Sequence, residues 1–534
     1  MIHKCLPAAG KPLEINHWKG VTLMKKWLAL FLALLMVVPC VSAFAEYDKH
    51  ISFTINSTHS NSSMDYNSDG MYKYISEMFN FDYEVYPVSK DSQSEKIRTW
   101  INGGTMPDIV SWRNFDYQEY ATYAEQGLLG ALPEGWEEKY PDLYEMVKVS
   151  GLYDKLHIDG VMYAIPHATF ARFSGMKNVV SNQTLYYRKD WVEKLGMEPF
   201  GDTVTLSQIE ALCKGAVEND LAGNGATIGF STDPDYYSNF LMQFAEVDYD
   251  AFMKGDGTYK LAASDPKVID WISFGRDWYQ KGIVDPDFYL NAISDTTNKF
   301  TSGIAACMMH NGAISSYHGY KVTFDSSTGL NSDECIGVAA MATDDGVAHT
   351  NGAANYWSAT FFSPDISEEK LDRILTIMNW TCTQDGQLTV VVGVPGETWE
   401  YDENGNVKML TEKDANGNYP STPDLYNSYN IFRSLGILPD DYSFANPSNE
   451  KLVVDQIKAV YAAKEKGYII PLDYDYEFFA SDAKSQFSLD FQDEITRIIL
   501  LKDADVAAEW NNFLTQNQAI WEPVITDLNN EFFK

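Results

Sequence analysis

The chain has 534 residues, 45% of them hydrophobic and 14% aromatic, so it is long enough to bury two or more separate cores. Its 75 acidic residues outnumber the 40 basic ones, which gives a formal net charge of −35 at pH 7. A surface this acidic repels nucleic acid and anionic lipid, so neither is an expected partner. The same charge disfavours a polyanionic ligand unless a local basic pocket overrides the field.

An export signal is the first interpretable segment. Met24–Lys26 carries positive charge, Trp27–Val38 is an unbroken apolar run, and Ala43–Ala45 supplies small residues around a cleavage site. This pattern predicts a signal peptide over 24–45, and it leaves residues 1–23 without signal character, so translation could start at Met24. The apolar run is shorter than the roughly 18 residues that a membrane span requires, which favours an exported soluble protein.

The cysteines leave two questions open. Cys40 lies where some exported proteins carry a lipid, but Pro39 is a poor fit to the small residue expected before it. Cleavage after Ala45 is therefore favoured over lipidation. The mature chain keeps four widely spaced cysteines, which allow three pairings that sequence does not choose among. They are Cys213, Cys307, Cys335 and Cys382.

Strand and helix patterns alternate after the signal. Ile51–Ile55 alternates like a half-buried strand, Met71–Phe79 has helical period, and Tyr83–Tyr86 reads as a second strand. Ser92 and Glu95 have the spacing of a capping box that opens another helix. This order predicts a parallel sheet with right-handed crossovers.

A short motif at the next strand is the most informative segment of the chain. Ile101–Trp112 ends a helix, turns on Gly103 and Gly104, and starts a buried strand at Pro107–Val110. Since ligands in α/β sheets bind beyond the carboxyl ends of strands, Trp112 is predicted to be a ligand platform. A helical run then closes with Gly-Leu-Leu at 127–129. This order resembles the extracellular solute-binding proteins of ABC sugar importers.

Three further segments are similar to landmarks of the same family. Gly160–Pro166 resembles its Gly-x-x-Tyr-x-x-Pro run, and Leu185–Trp191 resembles a strand that feeds a helix. Thr301–Gly312 resembles a buried small-residue strand with Asn-Gly at its mouth. Between these landmarks, Thr205 and Gln208 form a second predicted capping box.

The resemblance implies an α/β protein with the two-lobe, type II periplasmic-binding-protein fold and a ligand cleft between the lobes. Hinge strands would join the lobes at three crossings. The implied boundaries are 46–168 and 358–390 for lobe one, 183–352 and 395–534 for lobe two, and 168–182, 352–358 and 388–395 for the crossings.

The same resemblance places ligand contacts at strand ends and crossings. Trp112 matches a sugar-stacking tryptophan of the family. Asn311 lies at a strand mouth, but Ala313 and Ile314 follow where relatives have an aromatic residue, which argues against the same ligand geometry. The remaining candidates are Arg113 and Asn114 on the loop after Trp112, Ser57, Thr58 and His59 after the first strand, His167 and Arg172 at the first crossing, and Tyr236, Tyr237, Trp357 and Trp399.

No metal or cofactor is expected. Some relatives bind calcium through an Asp-x-Asp-x-Asn/Asp-Gly loop, and Asn219–Gly225 keeps the shape of that loop without its alternating acids. Calcium needs several oxygen ligands, so the loss predicts a metal-free loop.

The resemblance implies a monomeric, non-enzymatic binding protein that captures a carbohydrate, with an oligosaccharide favoured, and delivers it to an ABC permease. The chain has no Gly-x-x-x-x-Gly-Lys-Ser/Thr loop, so it is not the ATPase. Two alternatives stay open. The protein could report to a membrane sensor kinase, or it could be a secreted glycoside hydrolase, which needs two carboxylates about 5–9.5 Å apart.

Overall fold

A computed structural model gives the structure of residues 47–57, 60, 62–89, 92–168, 176, 178–248, 252–354, 356–413, 419–436, 446–503 and 505–533. The predicted signal peptide at 24–45, with Cys40 and the cleavage site after Ala45, lies outside these residues.

Twelve of the strands in the described residues build two central sheets and a connecting pair. In chain order they are β1 Ile51–Asn56, β2 Phe81–Val85, β3 Ile109–Arg113, β4 Ala164–Ala168, β5 Gln183–Arg188, β6 Thr203–Thr205, β7 Ile228–Ser231, β8 Ala305–Asn311, β9 Ile336–Ala342, β10 His349–Asn351, β11 Tyr356–Phe362 and β12 Tyr468–Ile470. Short hairpins at 157–162, 252–261 and 399–409 lie outside these sheets.

The first sheet has the order β2-β1-β3-β11-β4 and the second the order β6-β9-β5-β8-β7. In the first sheet β1 pairs parallel with β2 and β3, whereas β11 runs antiparallel between β3 and β4. Ile51, Phe53 and Ile55 alternate into the core, as the period of β1 predicts. In the second sheet β5 runs antiparallel to both of its neighbours.

Helices pack around each sheet. Those of lobe one are Gly70–Phe79, Gln93–Asn102, Tyr117–Glu125, Trp136–Lys139, Pro141–Val149, Glu368–Thr381, Gln384–Val392, Thr422–Leu425 and Tyr429–Leu435. Those of lobe two are Lys189–Lys194, Leu206–Glu218, Pro234–Ala245, Pro266–Gln280, Ile293–Thr301, Ile314–Thr328, Ser332–Cys335 and Lys451–Lys466, and the C-terminal helices are Tyr474–Glu477, Asp482–Gln486, Phe491–Leu500, Val506–Gln516 and Gln518–Phe532.

The hydrogen bonds at two helix N-termini show whether the two predicted capping boxes form. At Thr205 the box is confirmed, because the Gln208 amide donates to the Thr205 hydroxyl and the Gln208 side chain accepts from the Thr205 amide. At Ser92 it is wrong, since the Ser92 side chain makes no capping bond. No helix in the described residues is both long enough and apolar enough to cross a membrane.

The buried cores correct the predicted boundaries of the lobes. Val390 and Val394 lie in the core of lobe one, and residues 384–392 form a helix, so the crossing expected at 388–395 is wrong. Phe432 and Leu435 also pack in that core, although 395–534 was expected in lobe two. After residue 394 the chain still lies in lobe one at Leu435, and at Val453 it has joined a lobe-two core.

Two backbone segments that cross between the lobes pair with each other and with a third segment, which follows a helix of lobe two. We call residues 179–183, 349–353 and 468–470 the hinge. Strands β10 and β12 pair parallel within it, the Ser181 amide donates to the Asn351 carbonyl at 2.8 Å, and the Gly352 amide donates to the Ile470 carbonyl at 2.7 Å. The first two expected crossings, 168–182 and 352–358, overlap this region.

Candidate functional site

The end of β3 leads directly to the boundary between the lobes. The strand ends at Arg113, and Asp116 then begins the helix Tyr117–Glu125 by accepting a hydrogen bond from the Glu119 amide at 2.9 Å. Aspartate is a favoured residue at this position because its carboxylate satisfies an otherwise unpaired amide. In the short turn between strand and helix, Phe115 packs into the core of lobe one and Asp116 is exposed.

A cavity of about 590 Å³ lies at this boundary, with walls from both lobes. Lobe one supplies Phe115, Asp116 and Tyr117, and lobe two supplies the segment around Phe252. The described lining residues are Phe115, Asp116, Tyr117, Asp248, Phe252, Met253, Lys254, Ile470, Pro471, Leu472, Asp473, Tyr476, Glu477 and Lys484. A second cavity, of about 690 Å³, has walls from lobe two only and includes Val217 and Tyr279.

Aromatic rings form part of each wall of the interlobe cavity. Phe252 and Tyr476 lie with ring centroids 5.4 Å apart on the lobe-two side. Tyr117 meets Phe478 edge-to-face at 5.2 Å on the lobe-one side. Tyr117 and Tyr476 are both half-buried, so each keeps ring surface beside the cavity. Such rings suit a ligand whose C–H groups pack on aromatic faces.

The charge of the lining is acidic. Asp116, Asp248, Asp473 and Glu477 supply four carboxyl groups, and Lys254 and Lys484 supply two amines.

Both amines are engaged by the protein. The Lys254 ammonium lies 2.6 Å from an Asp475 oxygen, and this contact holds the pKa of the Asp475 carboxyl below its usual value. Lys484 donates to the Tyr476 and Phe479 carbonyls at 2.7 and 2.9 Å, and burial lowers its pKa. Asp475 neutralises Lys254. Lys484, which interacts with Glu477 and Asp116, is therefore the one amine of the described lining that partly offsets the four carboxyl groups.

Residues 473–484, which we call the bridging segment, touch both lobes. Phe478 belongs to the core of lobe one and Phe479 to that of lobe two. The Tyr356 hydroxyl, from β11, donates to Glu477 at 2.8 Å. Asp475 lies between Lys155 of lobe one at 3.3 Å and Lys254 of lobe two at 2.6 Å. One side of the cavity is thus made by a segment held by both lobes.

Trp112 does not reach this cavity. The indole has 0% of its surface exposed, donates to the Ser94 hydroxyl at 3.2 Å, and packs against Phe361 and Tyr123 in the core of lobe one. Strand β3 continues past Trp112 to Arg113 and pairs there with β11, so the indole lies on a face of the sheet and not beyond its end. The expectation of a ligand-stacking indole is therefore contradicted in this structure.

Four other candidates are also interior residues. His167 is 3% exposed and its two ring nitrogens lie 2.6 and 2.7 Å from the Ser358 and Thr360 hydroxyls. Ser57 is buried against the helix Tyr429–Leu435 and donates to the Asn430 carbonyl at 3.1 Å.

The other two are aromatic. Tyr237 is buried and its hydroxyl donates to the Gly275 carbonyl at 2.8 Å. Trp399 is buried among Leu388, Val391 and Val392, and its indole donates to the Gly393 carbonyl at 2.6 Å. As predicted ligand contacts, Ser57, His167, Tyr237 and Trp399 are wrong for this conformation, because their polar atoms and rings face the protein.

The remaining described candidates do not line the described cavity; they are Arg113, Asn114, Tyr236 in the first turn of the helix Pro234–Ala245, Asn311, and the half-buried Trp357 of β11. Arg113 is half-buried and Asn114 is exposed, with φ +49° and its amide bonded to the Trp357 carbonyl. Tyr236 stacks on His310 with centroids 4.5 Å apart, and Asn311 accepts from the Asn182 side chain at 3.2 Å. Their ligand contacts stay predictions. Thr58, His59 and Arg172 lie outside the described residues.

Sequence reasoning missed the residues that line the cavity. Phe115, Asp116 and Tyr117 follow the predicted strand end by a few positions, so extending the same rule along the turn would have found them. Phe252 and Tyr476 carry no comparable local signal, because their approach to lobe one depends on tertiary packing.

The loop that resembles a calcium site is closed by its own hydrogen bonds. One Asp220 oxygen accepts from the Gly225 amide and the other from the Thr227 hydroxyl, both at 2.8 Å. These bonds lower the pKa of the Asp220 carboxyl, the Gly225 amide contributing most. No cluster of metal-ligating side chains occurs among the residues whose structure is described. The metal-free loop stays a prediction.

Solved structures share this fold. An alginate-binding protein, AlgQ2, is 15% identical with a TM-score of 0.63, and the match covers 91% of this chain and 99% of that one. FusA, an ABC-transporter substrate-binding protein of S. pneumoniae, is 17% identical with a TM-score of 0.62 and the same coverage. A solute-binding protein of Bifidobacterium longum infantis is 14% identical with a TM-score of 0.61, again covering 91% and 99%.

A family model adds direct sequence evidence. No curated protein matches the chain. The model for bacterial extracellular solute-binding proteins matches residues 69–356, which is more than half of the sequence. With the two lobes and the cavity between them, this match identifies the chain as a member of the bacterial extracellular solute-binding protein family.

Proposed function

We propose that this protein is the extracytoplasmic binding component of an ABC importer, and that it captures a carbohydrate of oligosaccharide size between its lobes and delivers it to a membrane permease. The observation that carries the proposal is the cavity of about 590 Å³ whose walls come from both lobes and the bridging segment. This volume falls within the range of small-molecule sites.

The lining supports a neutral sugar. Half-buried Tyr117 and Tyr476 offer ring faces, while Asp116 and Glu477 offer acceptors for hydroxyl groups. The FusA structure contains kestose, and the Bifidobacterium longum infantis protein is described as HMO-binding. AlgQ2 is described as alginate-binding. In this chain the excess of carboxylates over amines disfavours a uronate, because like charges repel in a partly desolvated site.

Closure around the ligand follows from the position of the walls. A ligand that contacts both lobes binds the shut arrangement better than the open one and shifts the population towards it. The hinge strands allow the lobes to rotate while the chain stays connected. A permease would then recognise the closed form, and a sensor kinase could read the same form.

Calorimetry on a matched set of glycans tests the proposal. Neutral oligosaccharides are expected to bind with heat and to reduce the radius of gyration in small-angle scattering. Tyr117→Ala and Tyr476→Ala are expected to weaken binding by about two- to tenfold each, since an aromatic contact contributes roughly 0.5–1.5 kcal/mol.

Tyr289→Ala is the matched control, because Tyr289 is exposed on lobe two and does not line the described cavity. Binding of uronate oligomers alone would overturn the neutral-sugar assignment. Absence of heat and compaction with every soluble glycan would overturn the carbohydrate proposal, and release of shorter sugars on incubation would favour a hydrolase.

A further inference from the structure

Two of the four mature cysteines meet inside lobe two. The Sγ atoms of Cys213 and Cys307 lie 3.3 Å apart, although the residues are 94 positions apart in sequence. Both side chains are buried in the same core cluster. Cys335 and Cys382 belong to two other clusters, one in each lobe. Among the described residues, Cys213 and Cys307 are the one pair of these four cysteines whose sulfurs the structure brings together.

Local packing explains why the sulfurs of Cys213 and Cys307 lie close together. Cys213 lies on the helix Leu206–Glu218, which covers the second sheet, and Cys307 lies in the central part of β8. Gly229, on the neighbouring strand β7, has no side chain, and a Cβ there would lie 2.9 Å from the Cys213 Cβ and 2.1 Å from the Ile283 carbonyl oxygen. Glycine at 229 thus lets the helix lie close to the sheet. A disulfide bond of about 2.05 Å requires the sulfurs to move together by little more than 1 Å.

We propose that Cys213 and Cys307 form a disulfide bond in the exported protein, where it ties the helix Leu206–Glu218 to the central sheet of lobe two. The family is extracellular, and exported proteins meet an oxidising environment that cytosolic proteins do not. The bond acts on the stability of lobe two and is independent of which ligand the cavity binds.

The chemistry is thiol–disulfide exchange. The thiolate of one cysteine attacks a disulfide oxidant of the extracytoplasmic space, forms a mixed disulfide and releases one oxidant thiol. The second cysteine then attacks the mixed disulfide and releases the other oxidant thiol. The two cysteines lose two protons and two electrons, and the oxidant disulfide becomes two thiols.

Burial sets the time at which the exchange occurs. Desolvation raises the pKa of the Cys307 thiol well above its usual value, and the neighbouring Cys213 raises it further. The thiolate is the reactive form, so the folded dithiol reacts slowly. The bond therefore forms while lobe two folds after export, and a protein folded in a reducing cytoplasm keeps both thiols.

Mass spectrometry of the exported wild-type protein tests this directly. Alkylation after denaturation without reductant is expected to modify Cys335 and Cys382 but to spare Cys213 and Cys307. A pair of tryptic peptides joined through Cys213 and Cys307 is expected. The intact exported protein is expected to be lighter than the reduced protein by the mass of two hydrogen atoms. Alkylation of all four cysteines, or a cross-link between any other pair, overturns the proposal without requiring a variant to fold.

Thermal unfolding supplies the second measurement. Reduction of the exported protein is expected to lower the Tm by about 10 °C, because a disulfide that closes a loop of about 100 residues restricts the unfolded chain strongly. Cys213→Ala and Cys307→Ala are expected to have a Tm that does not respond to reductant. Cys335→Ala and Cys382→Ala are the matched controls and are expected to keep the full response. Equal Tm values for oxidised and reduced wild type would overturn the stabilising role.

Discussion

The hinge and the bridging segment both join the lobes, but they do so with different interactions. In the hinge, main-chain amides and carbonyls pair across three segments, and the buried Lys464 amine adds donors to the Ser181 carbonyl at 2.8 Å and the Thr184 hydroxyl at 3.1 Å. The bridging segment instead relies on side chains, among them the ion pairs of Asp475.

The difference in burial has an energetic consequence. Lys464 is 2% exposed, whereas Asp475, Lys155 and Lys254 are each more than a third exposed. A buried donor that is removed leaves its acceptors unsatisfied at a cost of about 1–3 kcal/mol, while a half-exposed ion pair contributes about 0–1 kcal/mol. The hinge contacts are therefore expected to persist during opening, and the contacts of the bridging segment are the ones that lobe rotation can break and remake.

Replacing the hinge lysine is expected to have the largest effect. Lys464→Met keeps the length of the side chain but removes the amine that bonds to the Ser181 carbonyl, the Gln183 carbonyl and the Thr184 hydroxyl. We expect the free energy of unfolding at pH 9 to fall by about 2–3 kcal/mol, measured by urea denaturation.

Lys466→Met, an exposed position at the end of the same helix, is the control and should change stability by less than about 0.5 kcal/mol. Equal stability of the Lys464→Met variant and wild type would show that the amine does not hold the hinge together.

The pH dependence of the free energy of unfolding tests the role of Lys464 in the wild-type protein, without a substitution. Burial lowers the pKa of Lys464 from 10.5 to about 7. Between these values the unfolded chain holds a proton that the folded chain has released, so stability from this group rises with pH from about 7 to about 10.5, by up to about 1.4 kcal/mol per unit. The stability that Lys464 contributes at high pH is lost as pH falls through 7. Urea denaturation at pH 7, 8 and 9 should give this slope for wild type and a flatter one for Lys464→Met; parallel slopes would contradict it.

Breaking the hydroxyl contact between lobe one and the bridging segment is expected to have an intermediate effect. Tyr356→Phe removes the bond to Glu477 and keeps the buried ring. Unfolding free energy should fall by about 1 kcal/mol, and ligand affinity by about fivefold, because Glu477 lines the cavity. Tyr83→Phe, which loses a buried hydroxyl bond to the Tyr66 carbonyl away from the cavity, should change stability similarly but leave affinity unchanged. Loss of affinity in both variants would mean that the contact has no specific role.

How well the sequence predicts each region follows from where its contacts come from. The alternation of β1 and the capping box at Thr205 depend on neighbours in sequence, and the structure confirms them. The family resemblance adds the two-lobe fold, because its landmarks lie at strand ends that local patterns already indicate.

The misplaced residues depend on distant packing. Trp112 faces Phe361, which lies on a strand far along the chain, and no local pattern shows that this strand enters the sheet between β3 and β4. The β-branched run that ends at Val394 reads as an extended crossing, yet residues 384–392 form a helix that Thr383 caps and whose side chains are buried on all faces. The bridging segment mixes acids with aromatics and has no clear period, so its position between the lobes could not be predicted.

The smallest expected effect on stability comes from a substitution in the bridging segment, and it distinguishes this segment from the hinge most directly. Asp475→Asn removes the charge that Lys155 and Lys254 share across the lobes, at half-exposed positions. Unfolding free energy should change by less than about 1 kcal/mol, because solvent screens such pairs. The ligand-free protein should nevertheless become more open, with a larger radius of gyration in small-angle scattering, and 0.5 M salt should produce the same opening in wild type. Asp482→Asn, an exposed acid of the bridging segment for which no ion pair is found in the described residues, should leave the radius unchanged. If Asp475→Asn destabilised the protein as strongly as Lys464→Met while leaving the radius constant, the bridging segment would be a fixed brace of the fold, with no part in the movement of the lobes.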